Sequence, residues 1–364
     1  MAGFLRRIVR SLAALTALCL CLGAVPVSAA PPAPPEISAP SALVYETQTG
    51  RILYEKNAHD RYFPASTTKI LTALIAIENL DPTERIEFTA SSIACVAEEA
   101  RHFELQPGES MSVYSCLQAL LIPSCNEAAS AIAERIAGSE EEFAKLMNVR
   151  ARQAGAIESH FVTPNGLHYD EHYVTAYDMA HILAACVQHP LYREISGSGG
   201  CVITDADYRE YEYESNNFML RADSPNHKDW VVCSKTGHTA FAGFALMTYG
   251  EKNGMHITCA ILGGDGYQIN ADDTVALCEW CFENYRVFHG EREALYCIRD
   301  VLGENARVEI GHTCALVTPE MPRGPVLCDL GRLTYEGGGR FTGDVLLTLP
   351  DGTIQTAPFE AYVT

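Results

Sequence analysis

Ser66 and Lys69 stand three residues apart in the stretch Pro64-Ala65-Ser66-Thr67-Thr68-Lys69, at the head of the apolar run Ile70-Leu71-Thr72-Ala73-Leu74-Ile75-Ala76. Residues three apart on a helix share a face, so the hydroxyl and the amine would lie side by side. A serine hydroxyl is a weak nucleophile at neutral pH and needs a base. A lysine amine becomes that base when burial and a second cation drive off its proton. The pair therefore reads as an activated serine for acyl transfer. Taken alone it is also an ordinary helix start, because serine is a favoured N-cap.

Two short motifs downstream change that balance. Ser124-Cys125-Asn126 follows Pro123, in a loop ahead of the Ala-rich helical stretch 127–137. Lys235-Thr236-Gly237 closes the strand-like stretch 230–234. Each is weak alone, since Ser-x-Asn caps helices and Lys-Thr-Gly makes turns. Their order and context carry the information: Ser-x-x-Lys on a helix, Ser-x-Asn between helices, Lys-Thr-Gly on a strand. In such a set Lys69 would act as base and Ser124 would relay a proton. Asn126 would bond a substrate amide, Lys235 and Thr236 would hold a carboxylate, and Gly237 would let a peptide approach the strand edge.

The elements that must position these residues are legible. Residues 41–46 and 51–55 read as two strands joined by a turn, followed by the helix from Ser66. The stretch 81–110 is acidic and weakly patterned. Helical periodicity marks 113–121, 127–137, 139–155 and 177–187. The third opens on a capping box, Ser139 with Glu142, and Gly138 suits the stop before it. After Asp229 the period becomes that of strands, over 230–234, 241–247 and 256–262, with turn signals at Gly237-His238 and Lys252-Asn253-Gly254. Residues 274–285 form a closing helix. Short connections between consecutive strands predict an antiparallel sheet.

These segments resemble the low-molecular-mass penicillin-binding proteins that act as serine-type D-alanyl-D-alanine carboxypeptidases. The likeness is carried by FPASTTKILTAL, LQPGESMSVYSCLQALLIPSCNEAASAIAE, FAKLMNVRARQAGA, HFVTPNGLHYDEHYVTAYDMA and CSKTGHTAFAG, in family order. It implies an α/β fold, a β-lactamase/transpeptidase-like domain of an antiparallel sheet flanked by helices, spanning 41–286. A small all-β domain, 287–364, would follow. It also implies a Ser66 acyl-enzyme, with an oxyanion hole made by the backbone N–H groups of Ser66 and His238. The partners implied are a peptidoglycan stem peptide ending in D-Ala-D-Ala and the β-lactam antibiotics. No cofactor and no metal is implied. Cys125 stands where the family often has glycine, and Glu127 where aspartate is frequent.

Rival readings remain open on the same residues. A β-lactamase needs an added base, and the one Glu-x-x-x-Asn match between the second and third motifs, Glu212 to Asn216, starts inside the Tyr/Glu run 208–215 and lies too close to Lys235. An endopeptidase that cuts cross-links, or a sensor that is acylated without turnover, would carry the same motifs.

The chain of 364 residues is long enough for two domains. Arg6, Arg7 and Arg10, an apolar run over 12–25 and Val27-Ser28-Ala29 together predict a signal peptide, residues 1–29, cut after Ala29. The Pro-rich stretch 30–40 predicts a stiff linker. The expected product is exported, at the cell wall or the outer face of the cytoplasmic membrane. The last residues, EAYVT, do not read as the amphipathic anchor frequent in the family, so membrane attachment is left open. A formal net charge of −20 argues against nucleic acid and anionic membrane surfaces. Of 14 cysteines, Cys19 and Cys21 leave with the leader. Most of the rest sit in apolar periodic stretches and read as buried free thiols, Cys278 and Cys281 among them. His168 and His172, four apart, could mimic a zinc pair but lack the HExxH pattern and read as structural.

Overall fold

The computed structural model describes residues 31–94, 105–204, 209–310, 315–318, 326–349 and 354–363. The signal-peptide reading, Cys95 and Cys314 lie outside the described residues. The chain forms two compact units that divide between Glu283 and Asn284.

The larger unit opens with β1 (Ser41–Glu46) and β2 (Ile52–Lys56), then a 3-10 turn (Ala65–Thr68) running directly into α1 (Lys69–Asn79). There follow β3 (Arg85–Glu87), α2 (Ala90–Ala94), β4 (Ser110–Ser112), α3 (Val113–Leu121), α4 (Asn126–Ala137), α5 (Glu140–Gln153), α6 (Ala176–Cys186) and α7 (Pro190–Ser196). The hairpin β5 (Gly200–Thr204) and β6 (Glu210–Glu214) precedes the long strands β7 (Val231–Thr239), β8 (Gly243–Lys252) and β9 (Met255–Gly264), and α8 (Tyr267–Asn284) closes the unit.

The main sheet is antiparallel throughout, in the order β2-β1-β9-β8-β7. Its strands alternate as a two-faced sheet requires. Leu43, Ala260, Leu262, Ala245 and Met247 join the core shared with the helices. On α8, the Cys278 thiol is hydrogen-bonded to Cys259 of β9. Helix α1 is buried on every side from Lys69 to Ala76, which is what an all-round apolar pattern demands. Local signals end the helices as expected. Ser139 Oγ accepts from the Glu142 N–H, Thr175 Oγ1 from the Asp178 N–H, and Gly138 terminates α4 in the left-handed region.

Two local readings are corrected, and a third holds. Gly237-His238 is not a turn: β7 continues to Thr239, with Gly237 paired to Ala245, and the reversal comes three residues later. That glycine answers a need for space, not for a bend, as the site makes clear. Helix α8 begins at Tyr267, ahead of the expected 274, because the polar residues of its first two turns are held by tertiary partners. Asn270 Nδ2 donates to the Phe244 carbonyl, and Asp273 accepts from the Ser38 and Ala39 N–H groups. The turn at Asn253-Gly254 does form, with both residues at positive φ.

The smaller unit holds β10 (Arg286–His289), α9 (Glu291–Leu302), β11 (Arg307–Ile310), β12 (Ala315–Thr318), β13 (Leu327–Gly337), β14 (Arg340–Thr348) and β15 (Ile354–Tyr362). Four of its strands form a sheet in the order β11-β15-β14-β13. Ala294 and Ile298 of α9 pack on Val345, Leu347, Ala357 and Phe359 of that sheet. The sequence reading gave this region strands only. Helix α9 was nevertheless legible, since Ala294, Leu295, Ile298, Val301 and Leu302 keep helical spacing on a charged background.

Candidate active site

Ser66 sits inside the 3-10 turn, not at a helix cap: no side chain caps that turn, and its first position, Ala65, has φ +49°. A tight turn feeding an α-helix puts the Ser66 side chain over the first residue of α1, which is Lys69. The Lys69 amine is within 2.9 Å of Ser66 Oγ. It also lies 2.9 Å from the Ser124 carbonyl, 3.2 Å from Ser124 Oγ and 2.7 Å from Asn126 Oδ1. An ammonium has three N–H donors, and here four oxygens surround one nitrogen. The surplus acceptor is a hydroxyl in either case, and a hydroxyl can turn and donate to a neutral amine. Lys69 is fully buried.

The second motif reaches this point from the loop between α3 and α4. Ser124 holds φ +71°, an uncommon left-handed conformation for serine that aims its carbonyl and hydroxyl at one amine. Asn126 begins α4, and Cys125 rather than Ser124 is its N-cap residue. The Cys125 side chain is fully buried within the helical core. Lys235 arrives from β7. Its amine donates to Ser124 Oγ at 2.9 Å and to the Thr236 carbonyl at 2.9 Å. Ser124 Oγ thus bridges two buried lysines. Burial, and then the charge of Lys69, hold the Lys235 amine well below its ordinary pKa.

Strand β7 is the outer strand of the sheet, so one of its edges is unpaired. A Cβ placed on Gly237 would lie 3.0 Å from the Thr67 nitrogen and 3.1 Å from the Ser66 nitrogen and the Pro64 carbonyl oxygen. Any side chain would push the strand off the serine turn. Thr236 is buried beside it, while the exposed His238 stacks on Phe244 at 4.1 Å and meets Tyr267 edge-on. At position 238 the edge therefore presents backbone. The eight residues singled out in the sequence thus converge on one place. Glu212, the base a β-lactamase reading would use, is solvent-exposed in the middle of β6.

One support, Gly166, escaped sequence reasoning, and a second, His172, reads in the sequence as structural without a partner. Gly166, at φ +86°, lies so close beneath the serine turn that a Cβ there would fall 1.8 Å from the Ala65 carbonyl oxygen. His172 is buried behind α1, with Nε2 3.2 Å from Thr68 Oγ1 and Nδ1 facing the Thr163 N–H and hydroxyl. His168 is elsewhere, stacked on Phe241, so the two histidines share no ligand position. Burial lowers the His172 pKa to about 3. An imidazole neutral in the fold and protonated when unfolded stabilises fully above about pH 6.5 and loses that contribution as pH falls toward 3. The expected slope from this one group is about 1.4 kcal/mol per pH unit. Urea unfolding at several pH values should show a steeper acid loss for the parent than for His172→Gln; equal slopes would remove His172 as the cause.

Residues 27–266 match the family model for Peptidase S11, D-alanyl-D-alanine carboxypeptidase. The chain belongs to that family. The D-alanyl-D-alanine carboxypeptidase DacF of Bacillus subtilis is 30% identical over 249 residues, 68% of this chain and 63% of that relative, so the match spans less than two thirds of the relative's length. A D-alanyl-D-alanine endopeptidase of Pseudomonas aeruginosa is 29% identical over 262 residues, covering 70% of this chain and 81% of the relative. Among solved structures, the D-alanyl-D-alanine carboxypeptidase of Mycobacterium tuberculosis superposes with a TM-score of 0.63 at 23% identity, over 70% of this chain and 95% of that one. For this S11 member the match ends at residue 266, just before α8, and takes in all three motifs. The ten described cysteines of the S11 chain are free thiols, seven of them buried.

Proposed function

We propose that this chain is an exported serine-type D-alanyl-D-alanine carboxypeptidase that removes the terminal D-alanine from peptidoglycan stem peptides and is acylated by β-lactams. The observation that carries the reading is the single amine, Lys69, in contact with Ser66, Ser124 and Asn126 while Lys235 holds the far side of Ser124. Ser66 Oγ attacks the carbonyl between the two D-alanines and gives its proton to Lys69. The proton passes through Ser124 to the leaving amine, which breaks the peptide bond. Lys235 and Thr236 hold the terminal carboxylate, and the backbone N–H groups of Ser66 and His238 stabilise the oxyanion. With Asn126 Oδ1 engaged by Lys69, its amide nitrogen is left to donate to the substrate. Water then frees the shortened peptide. The catalytic domain is residues 41–286, preceded by the leader 1–29 and linker 30–40 and followed by the domain 287–364.

The test is D-alanine release from a diacyl-Lys-D-Ala-D-Ala tripeptide by the chain from Ala30 onward, with Ser66→Ala as control. Catalytic release, slowed at least about a thousandfold in the control, supports the reading. Labelled penicillin on Ser66 without release, tested beside a cross-linked dimeric peptide, would transfer the function to an endopeptidase or a sensor. No release and no labelling would sink it.

A further inference from the structure

Beside the loop that supports the serine turn lies a second concavity, a groove of about 390 Å³ between the first turns of α5 and residues 160–169. Ala144 of α5 and Phe161 give it an apolar lining, and Tyr169, 52% exposed, adds an open ring. Glu141 and Lys145, 3.5 Å apart, stand on the α5 side. His160 completes the lining. Its Nδ1 donates to the Glu171 carbonyl at 2.7 Å, which leaves Nε2 for another partner. The groove is preformed. Asn148 Nδ2 donates to the Ala144 and Phe161 carbonyls, and Asn148 Oδ1 accepts from the Phe161 N–H, so one side chain clamps the loop to the helix.

A sugar ring has the matching chemistry. One of its faces is a sheet of C–H bonds that packs on an open tyrosine ring, and its rim of hydroxyl and acetamido groups both donates and accepts. Glu141 accepts, Lys145 donates, and their opposite charges select neither an anion nor a cation. An apolar lining with a few polar groups is the usual form of a small-molecule site. Continuity with the active site gives the ligand its source. With Lys235 and Thr236 holding the terminal carboxylate, the stem peptide leaves the serine along β7 toward the β7–β8 turn. His168 stacks on Phe241 of that turn at 4.1 Å, and Tyr169 is the next residue, its Cα about 3.8 Å further. Three extended residues cover about 10 Å. The end of the stem that joins the glycan strand is thereby carried toward Tyr169.

We propose that the groove between α5 and the loop 160–169, with Tyr169 as its platform, binds an N-acetylated amino sugar of the glycan strand that bears the stem peptide. The source of the sugar rests on the carboxypeptidase reading. The test compares kcat/KM for D-alanine release from a stem pentapeptide alone and from the same stem carried on the disaccharide of N-acetylglucosamine and N-acetylmuramic acid. The parent is expected to favour the disaccharide-linked stem by about tenfold, the size of one good aromatic contact. Tyr169→Ala should bring that ratio near one, and Tyr169→Phe should keep it. Turnover with a ratio near one in the parent, or with a ratio unchanged in Tyr169→Ala, would overturn the groove alone. Absence of turnover of both substrates would overturn the carboxypeptidase reading. Saturation-transfer NMR with the peptide-free disaccharide then decides the groove by itself: a signal lost in Tyr169→Ala sustains it, and no signal in the parent overturns it.

Discussion

Lys69→Met should lower the rate of D-alanine release at least about a thousandfold, within the range lost when a general base and the nucleophile it activates are uncoupled. The same substitution should leave the melting temperature unchanged or raise it. Methionine fills nearly the same space in the first turn of α1, a helix buried on all sides. It also relieves the fold of an amine held out of water beside a second lysine. Against that stand the lost bonds to the Ser124 carbonyl and Asn126 Oδ1. Each of these is worth about 1 kcal/mol. Activity and stability should therefore separate, as they do where a site keeps charge in a core for the sake of chemistry. Turnover within tenfold of the parent would take the base role away from Lys69.

Gly166→Ala should act in the opposite manner, through the frame. Its new methyl carbon would coincide with the Ala65 carbonyl, 1.8 Å from the oxygen and 2.4 Å from the carbon. Backbone must shift by more than an ångström to admit it, and the nearest backbone is the turn that carries Ser66. A displacement of that order costs about a hundredfold in rate. A loss of roughly 3 kcal/mol of stability is expected beside it, as for an overpacked core site. Gly138→Ala is the internal control. It has a similar φ of +81° and no atom within 4 Å of the added carbon. It should pay only the left-handed backbone penalty, about 1 kcal/mol, with activity retained. If both variants behave alike, backbone strain and not contact with the serine turn explains Gly166.

How far the sequence foretells this site depends on the distance over which each feature is determined. Ser66 and Lys69 are neighbours through local helical spacing, and Ser124 and Asn126 through a loop between two periodic stretches, so their chemistry could be read from residue types alone. The strand carrying Lys235 was legible as well. Its continuation through Gly237-His238 was not, because a glycine required by the approach of the serine turn looks in one dimension like a glycine required by a bend. Gly166 was hidden for the same reason: Pro164-Asn165-Gly166 has turn composition, while the carbonyl that excludes a side chain lies 101 positions earlier. His172 and His168, four residues apart, take unrelated surroundings that only tertiary structure separates. Helix α8 shows the complementary case, where tertiary bonds to Asn270 and Asp273 extend a helix past its apolar pattern.

The sheet order β2-β1-β9-β8-β7 joins the first strand of the larger unit to the last, Leu43 opposite Ala260. Pairings this remote close slowly, since the intervening chain must surrender its freedom before any ladder bond rewards it. During synthesis, the serine turn is made early and β7 only after another 160 or so residues. β1 then waits for β9 before its open side is covered. A chain interrupted between Lys69 and β9 therefore carries Ser66 and Lys69 before β9 has joined the β7–β8 pair to β1. Competence arrives late and all at once, so a half-made chain is a poor hydrolase by virtue of its topology.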